Sequence, residues 1–192
     1  MIDMTEACGR TADLLSQVRD GQLRAATPCR DMDLGALIAH IGGLAPAFGA
    51  AARKDFGPLT DTPPQLGDGP EADWREVYPS RLSALAAAWR DPAAWQGMSR
   101  AGGVDFPAEV GGMIALCEVV VHGWDVARSA GLAYDVGDRE LEALLPHVSS
   151  YAEEAPIEGL FAAPVPVAED VPALDRVIAL TGRDPGWGGW VR

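Results

Sequence analysis

The sequence predicts an all-α fold, a bundle of four long helices with little or no sheet. Apolar residues recur at three- and four-residue intervals in each long segment, the period of a helix with one buried face. At 192 residues, 48 % of them hydrophobic, the chain is long enough for one domain with a sizeable core and too short to suggest two.

The first helix is expected over residues 4–19, where Ala7, Leu14, Leu15 and Val18 share a stripe that ends near Asp20-Gly21. Cys8 reads as a small core residue beside that stripe. Thr27-Pro28-Cys29-Arg30-Asp31-Met32-Asp33 is rich in turn formers, and Asp31 or Asp33 can cap the second helix. Leu34, Leu37, Ile38, Ile41 and Leu44 set its apolar face, and His40 borders that face. Gly42, Gly43 and Gly49 allow a close helix approach, a ligand approach or a local break.

Residues 55–70 read as a loop by composition. A third helix is expected from about Glu71 to Trp89, kinked at Pro79 and closed by Asp91-Pro92. Residues 96–106 suit a glycine-rich loop or a short hairpin. Pro107 then opens the fourth long helix at its first position, where a missing donor costs nothing. Met113, Leu116, Val120, Trp124 and Ala127 form its stripe, and Gly131 ends it. A further helix covers Asp138 to Ala152, with His147 on its solvated flank, and a short one covers Ala173 to Leu180. The bundle core is therefore placed in about residues 1–152 of a single domain spanning 1–192, with a short C-terminal extension over 153–192.

The net charge of −13, with 15 scattered basic residues, argues against a nucleic-acid partner, because phosphate binding needs clustered Lys and Arg. Leu34 to Ala52 is nearly uncharged, but its glycines, Pro46 and His40 suit a bundle helix better than a membrane span. Three cysteines without CxxC spacing, and an N-terminus without a basic region followed by an apolar core, predict a cytoplasmic protein without a disulfide scaffold.

The chemistry centres on Cys117-Glu118-Val119-Val120-Val121-His122-Gly123-Trp124-Asp125. Residues four apart on a helix sit about 40° apart around its axis, so Glu118 and His122 share one face and can reach one divalent cation. An open metal site needs a third ligand, and His40 is the candidate. The plainer alternatives are a buried Glu–His hydrogen bond without metal, and a satisfied core histidine at position 40. Three polar groups, Glu118, His122 and Asp125, on one flank of an apolar helix are expensive to bury unless something satisfies them.

Thr27-Pro28-Cys29 before a helix with His40, then Glu118-x-x-x-His122-Gly123-Trp124-Asp125-x-Ala127-x-x-x-Gly131, then Thr181-Gly182-Arg183-Asp184-Pro185 resembles the actinobacterial metal-binding branch of the DinB/YfiT-like superfamily. Within it, the chain is similar to the N-terminal domain of mycothiol-dependent maleylpyruvate isomerases. The resemblance implies an up-down-down-up four-helix bundle holding zinc or another divalent cation on His40, Glu118 and His122. It also implies that Asp125 serves catalysis and binding of a low-molecular-weight thiol cofactor such as mycothiol. In those isomerases a separate C-terminal domain supplies a catalytic arginine; Arg183 aligns with nothing and receives no role.

The resulting expectation is a thiol S-transferase or isomerase, whose partners are a small thiol and an electrophilic substrate, with a homodimer left open. A non-catalytic metal-binding bundle (sensor or interaction module) and a metal-assisted hydrolase are the alternatives. Within one helix, Asp125 has two competing uses, an ion pair with Arg128 or a hydrogen bond behind a metal ligand.

Overall fold

The computed structural model describes residues 1–63, 67, 69–153, 155–156 and 161–188. Residues 64–66 and 68 of the expected loop, and 154, 157–160 and 189–192 of the expected extension, lie outside them. Seven α-helices, two short 3-10 helices and one two-stranded hairpin form among the described residues.

Four long helices make the bundle: α1 (Thr5–Gln17), α2 (Leu34–Arg53), α4 (Trp74–Trp89) and α5 (Ala108–Ala130). Helices α4 and α5 each pack against both α1 and α2, so the ring runs α1–α4–α2–α5 with α1 and α2 on one diagonal. Leu14, Leu15, Leu37, Ile38, Ile41, Leu82, Leu85, Leu116 and Val120 meet at its centre, all buried. Helices α2 and α5 are the long apolar ones, and most of their surface is buried against their neighbours.

Of the two candidate caps for α2, Asp33 is the one used; its carboxylate accepts from the Ala36 amide at 2.9 Å. Gly42 admits a helix rather than a break or a ligand. A Cβ there would lie 2.2 Å from the Tyr78 ring, so the missing side chain lets α4 press Tyr78 onto α2. At the far end of α5, Gly131 adopts the left-handed conformation (φ 70°) and closes the helix onto the Ala127 carbonyl.

Several expectations are corrected. The loop over 55–70 contains a short helix, α3 (Pro58–Asp61). Helix α4 starts at Trp74, three residues after Glu71, which instead donates its backbone amide to the Tyr78 hydroxyl. Of the two forms expected for residues 96–106, the short hairpin is the one present, β1 (Met98–Ala101) paired antiparallel with β2 (Val104–Pro107). Pro107 is extended (ψ 136°) and sits one residue before the helix instead of at its first position. Met113 is only partly buried against the core. His147 is half-buried, its ring edge-on to Tyr151 at 5.2 Å, instead of standing in solvent.

Helix α6 (Asp138–Ala152) packs on α5, and α7 (Ala173–Leu180) packs on α6. The turn after α7 thereby comes back to the outer flank of α5, beside the polar residues of that helix.

Candidate metal centre

The Asp33 cap sets the phase of α2 and so brings His40, two turns later, against α5. On α5 the neighbours of Glu118 and His122 are core residues, Leu116, Val119 and Val120, whose burial fixes the rotation of the helix. The two helices thus close three side chains onto one another. His40 Nε2 lies 3.3 Å from Glu118 Oε2, and His122 Nε2 lies 3.1 Å from the same oxygen. One donor atom from each of the three residues falls within 4.8 Å of the other two. The imidazoles stand edge-to-face, ring centroids 4.9 Å apart. Their side chains are 10 % and 8 % exposed and that of Glu118 20 %, so the cluster is mostly buried and keeps some contact with solvent.

The donor set fits a divalent ion of the zinc class. Ligands about 2.0–2.2 Å from a tetrahedral centre stand about 3.3–3.5 Å from one another, close to both nitrogen–oxygen separations here. No fourth His, Cys, Asp or Glu joins the three among the described residues. His40 Nδ1 is buried and finds no hydrogen-bond partner among the described residues, so the polar contact of the ring there is through Nε2.

Asp125 lies behind His122 and is fully buried. His122 Nδ1 donates to Asp125 Oδ2 at 3.0 Å, which leaves Nε2 turned toward Glu118. The partner of Asp125 across the fold is Arg183. Its Nε donates to both carboxylate oxygens at 3.1 Å and its Nη2 to Oδ2 at 2.9 Å. Arg128, the partner offered by helical spacing, turns away and donates from Nε to the Trp187 carbonyl at 3.0 Å.

Charge balance constrains this chain of contacts. Two carboxylates face one guanidinium, so a negative charge is left for a cation or a protonated His122 to neutralise. Burial alone would lower the His122 pKa, but the charges of Glu118 and Asp125 and their hydrogen bonds raise it to about 9. Burial would raise Glu118, yet the His122 charge and the hydrogen bonds from both histidines hold it well below the ordinary carboxylate range. Asp125 is likewise desolvated and still lowered, by the His122 hydrogen bond and the charge of Arg183. The site therefore attracts positive charge at Nε2 of His122, where a metal ion would have to compete with a proton.

The family model for the mycothiol maleylpyruvate isomerase N-terminal domain matches residues 4–127, a span that includes His40, Glu118, His122 and Asp125. The chain belongs to this family. Two solved structures agree with that membership in their fold. The crystal structure of a mycothiol-dependent maleylpyruvate isomerase matches over 97 % of this chain and 91 % of its own, with a TM-score of 0.66 and 20 % identity. A histidine-to-alanine mutant of mycothiol-dependent maleylpyruvate isomerase matches over 81 % of this chain and 70 % of its own, with a TM-score of 0.58 and 20 % identity. No curated protein matches. Within this isomerase N-terminal domain family, the bundle architecture is thus shared, and the polar cluster between α2 and α5 lies inside the matched span.

All four residues expected at the site are brought together, three around one point and Asp125 behind them. Arg183 was quoted in the sequence pattern but given no role there. The one available signal was the need of a buried Asp125 for a cationic partner, and no helical spacing connects positions 58 residues apart.

Proposed function

We propose that this chain binds one divalent cation on His40, Glu118 and His122 and uses it in an isomerisation or S-transfer that depends on a low-molecular-weight thiol, mycothiol or one like it. When bound, such an ion supplies the Lewis acidity that keeps a coordinated thiol deprotonated near neutral pH. The observation that carries the reading is the convergence of three donor atoms within 4.8 Å, with no fourth protein donor among the described residues. A site closed by four protein ligands is the structural type, whereas three ligands leave a position for a cofactor or substrate.

The chain's own residues divide the remaining work. His122 presents Nε2 because Asp125 holds Nδ1. Glu118 adds the negative charge that draws a cation between the two imidazoles. Asp125, assigned to cofactor contact and catalysis on sequence grounds, is better read as positioning. Both its oxygens are engaged and it has no exposed surface to offer a thiol.

The protein's cysteines are poor internal nucleophiles. Burial pushes Cys8 up to about 12 and also raises Cys29 and Cys117. A reactive thiolate at this site is then best supplied from outside, in agreement with a cofactor thiol in a reducing cytoplasm. The test is metal analysis of protein from a mycothiol-containing host, followed by maleylpyruvate and a panel of electrophiles with and without the thiol. Thiol-dependent turnover that a chelator abolishes is expected. Turnover of esters or amides by the metal-loaded protein without thiol would point to hydrolysis instead, and metal without any turnover to a binding bundle.

A further inference from the structure

Arg183 sits outside the span matched by the family model, yet it is buried against the innermost polar group of the site. Its placement is built in several layers. Helix α7 ends in a turn at Thr181, which is 1 % exposed and holds its hydroxyl on the Ile178 carbonyl at 2.8 Å. Gly182 follows in the left-handed region at φ 81°, and a Cβ there would lie 2.5 Å from that of Ala162, so no other residue fits this turn. The Arg183 amide returns to the Ile178 carbonyl, which aims the side chain out of the turn and into α5.

The guanidinium then fixes Asp125 in a particular way. Arg183 Nη2 and His122 Nδ1 donate to the same oxygen, Oδ2, at 2.9 and 3.0 Å. Arg183 Nε spans both oxygens, and Nη1 is tied to the Thr181 carbonyl at 3.2 Å. A carboxylate held in a fork this way cannot rotate, so the direction of its bond to His122 is set from the far side. A second arginine runs the opposite way. Arg128 of α5 reaches the Trp187 carbonyl four residues beyond Arg183, so helix and tail each clamp the other.

We infer that Arg183 is a positioning residue for the metal centre: through Asp125 it sets the ring orientation and tautomer of His122, so that the Arg183–Asp125 contact and occupancy of the site are coupled. The inference rests on the metal reading above. By linkage, an ion bound at His122 tightens the Arg183–Asp125 contact by the same factor as that contact tightens the ion.

Full-length Arg183→Gln, Arg183→Lys and Arg128→Gln test it with two readouts, one of them free of metal. In chelator-treated wild type and Arg128→Gln, the His122 Nδ1 proton gives a slowly exchanging nitrogen-bound resonance; in Arg183→Gln that resonance broadens or vanishes. In Co2+ titrations against a competing chelator, Arg183→Gln binds about tenfold or more weakly with altered visible absorption, whereas Arg128→Gln stays within about twofold of wild type. A wild-type proton resonance in Arg183→Gln overturns the inference, as does equal loss of Co2+ affinity in Arg128→Gln, which would make tail docking in general responsible. If Arg183→Gln does not fold, Arg183→Lys, which keeps the charge and loses the fork, takes its place under the same criteria. Absence of Co2+ binding by wild type sinks the metal reading alone, and the proton resonance then decides the role of Arg183.

Discussion

His40 of α2 and Glu118 of α5 meet at 3.3 Å, joining at a single carboxylate oxygen two helices that are far apart in the chain. An ion bound there would cross-link the bundle and favour the folded state by mass action. Saturation with Zn2+ at about a hundred times Kd should add about 2.7 kcal/mol to the unfolding free energy. Thermal melts with and without chelator measure this gain, and His40→Ala should abolish it. A gain that survives His40→Ala would place the ion elsewhere.

The two histidines should differ once metal is removed. His122 bridges Glu118 and Asp125, whereas His40 has one polar contact and an unpartnered Nδ1 among the described residues. In urea titrations with chelator present, His122→Ala should cost about 3 kcal/mol, the scale of breaking a buried ion pair. His40→Ala should cost about 1 kcal/mol, the scale of one hydrogen bond. Equal losses would show that His122 carries no charge between its two carboxylates.

The metal-free protein should lose stability on the alkaline side. His122 is raised from 6.5 to about 9 in the folded state, so its contribution is complete below 6.5 and disappears as pH rises through 9. Glu118 and Asp125 are both lowered, so theirs is complete above the ordinary carboxylate range and is lost in acid. Denaturant midpoints of the chelated protein should therefore peak near pH 5–6.5, the window between these limits. With His122 protonated at pH 7, metal binding should also release about one proton, read by calorimetry in buffers of different ionisation enthalpy.

Asp125→Asn separates the two uses of this residue. The amide keeps an acceptor for His122 Nδ1 but removes the charge that Arg183 faces, so metal affinity should fall about ten- to a hundredfold. Turnover at saturating metal then decides the rest. If it stays near wild type, Asp125 only positions; a further fall of about a hundredfold would restore it to the chemistry.

Gly42→Ala probes the frame and not the donors. The added methyl collides with the Tyr78 ring, so α4 must shift, at a cost of about 1–3 kcal/mol in urea unfolding. Full metal occupancy should persist in the folded variant, since His40 lies on α2 and both other ligands on α5.

Local rules sufficed for what lies within one helix. The period of apolar residues marks α1, α2, α4, α5, α6 and α7; the close of α5 at Gly131 follows from backbone chemistry at one position, and the cap of α2 was narrowed to Asp31 or Asp33, of which the structure uses Asp33. Glu118 and His122 were legible together for the same reason, because four residues on a helix bring two side chains to one face before any packing occurs. His40 was the candidate third ligand by the needs of an open metal site, a family resemblance matched it, and the packing of α2 on α5 brings it beside them. Only the tertiary structure decided the partner of Asp125. Helical spacing offered Arg128 three residues away, but that side chain lies over Trp124 and bonds to the tail, while Arg183 arrives from 58 residues along the chain. Backbone periodicity orders neighbours within a helix and is silent about which side chain a later turn delivers to its flank; that choice belongs to the docking of α6 and α7, where a buried carboxylate must find its counter-charge.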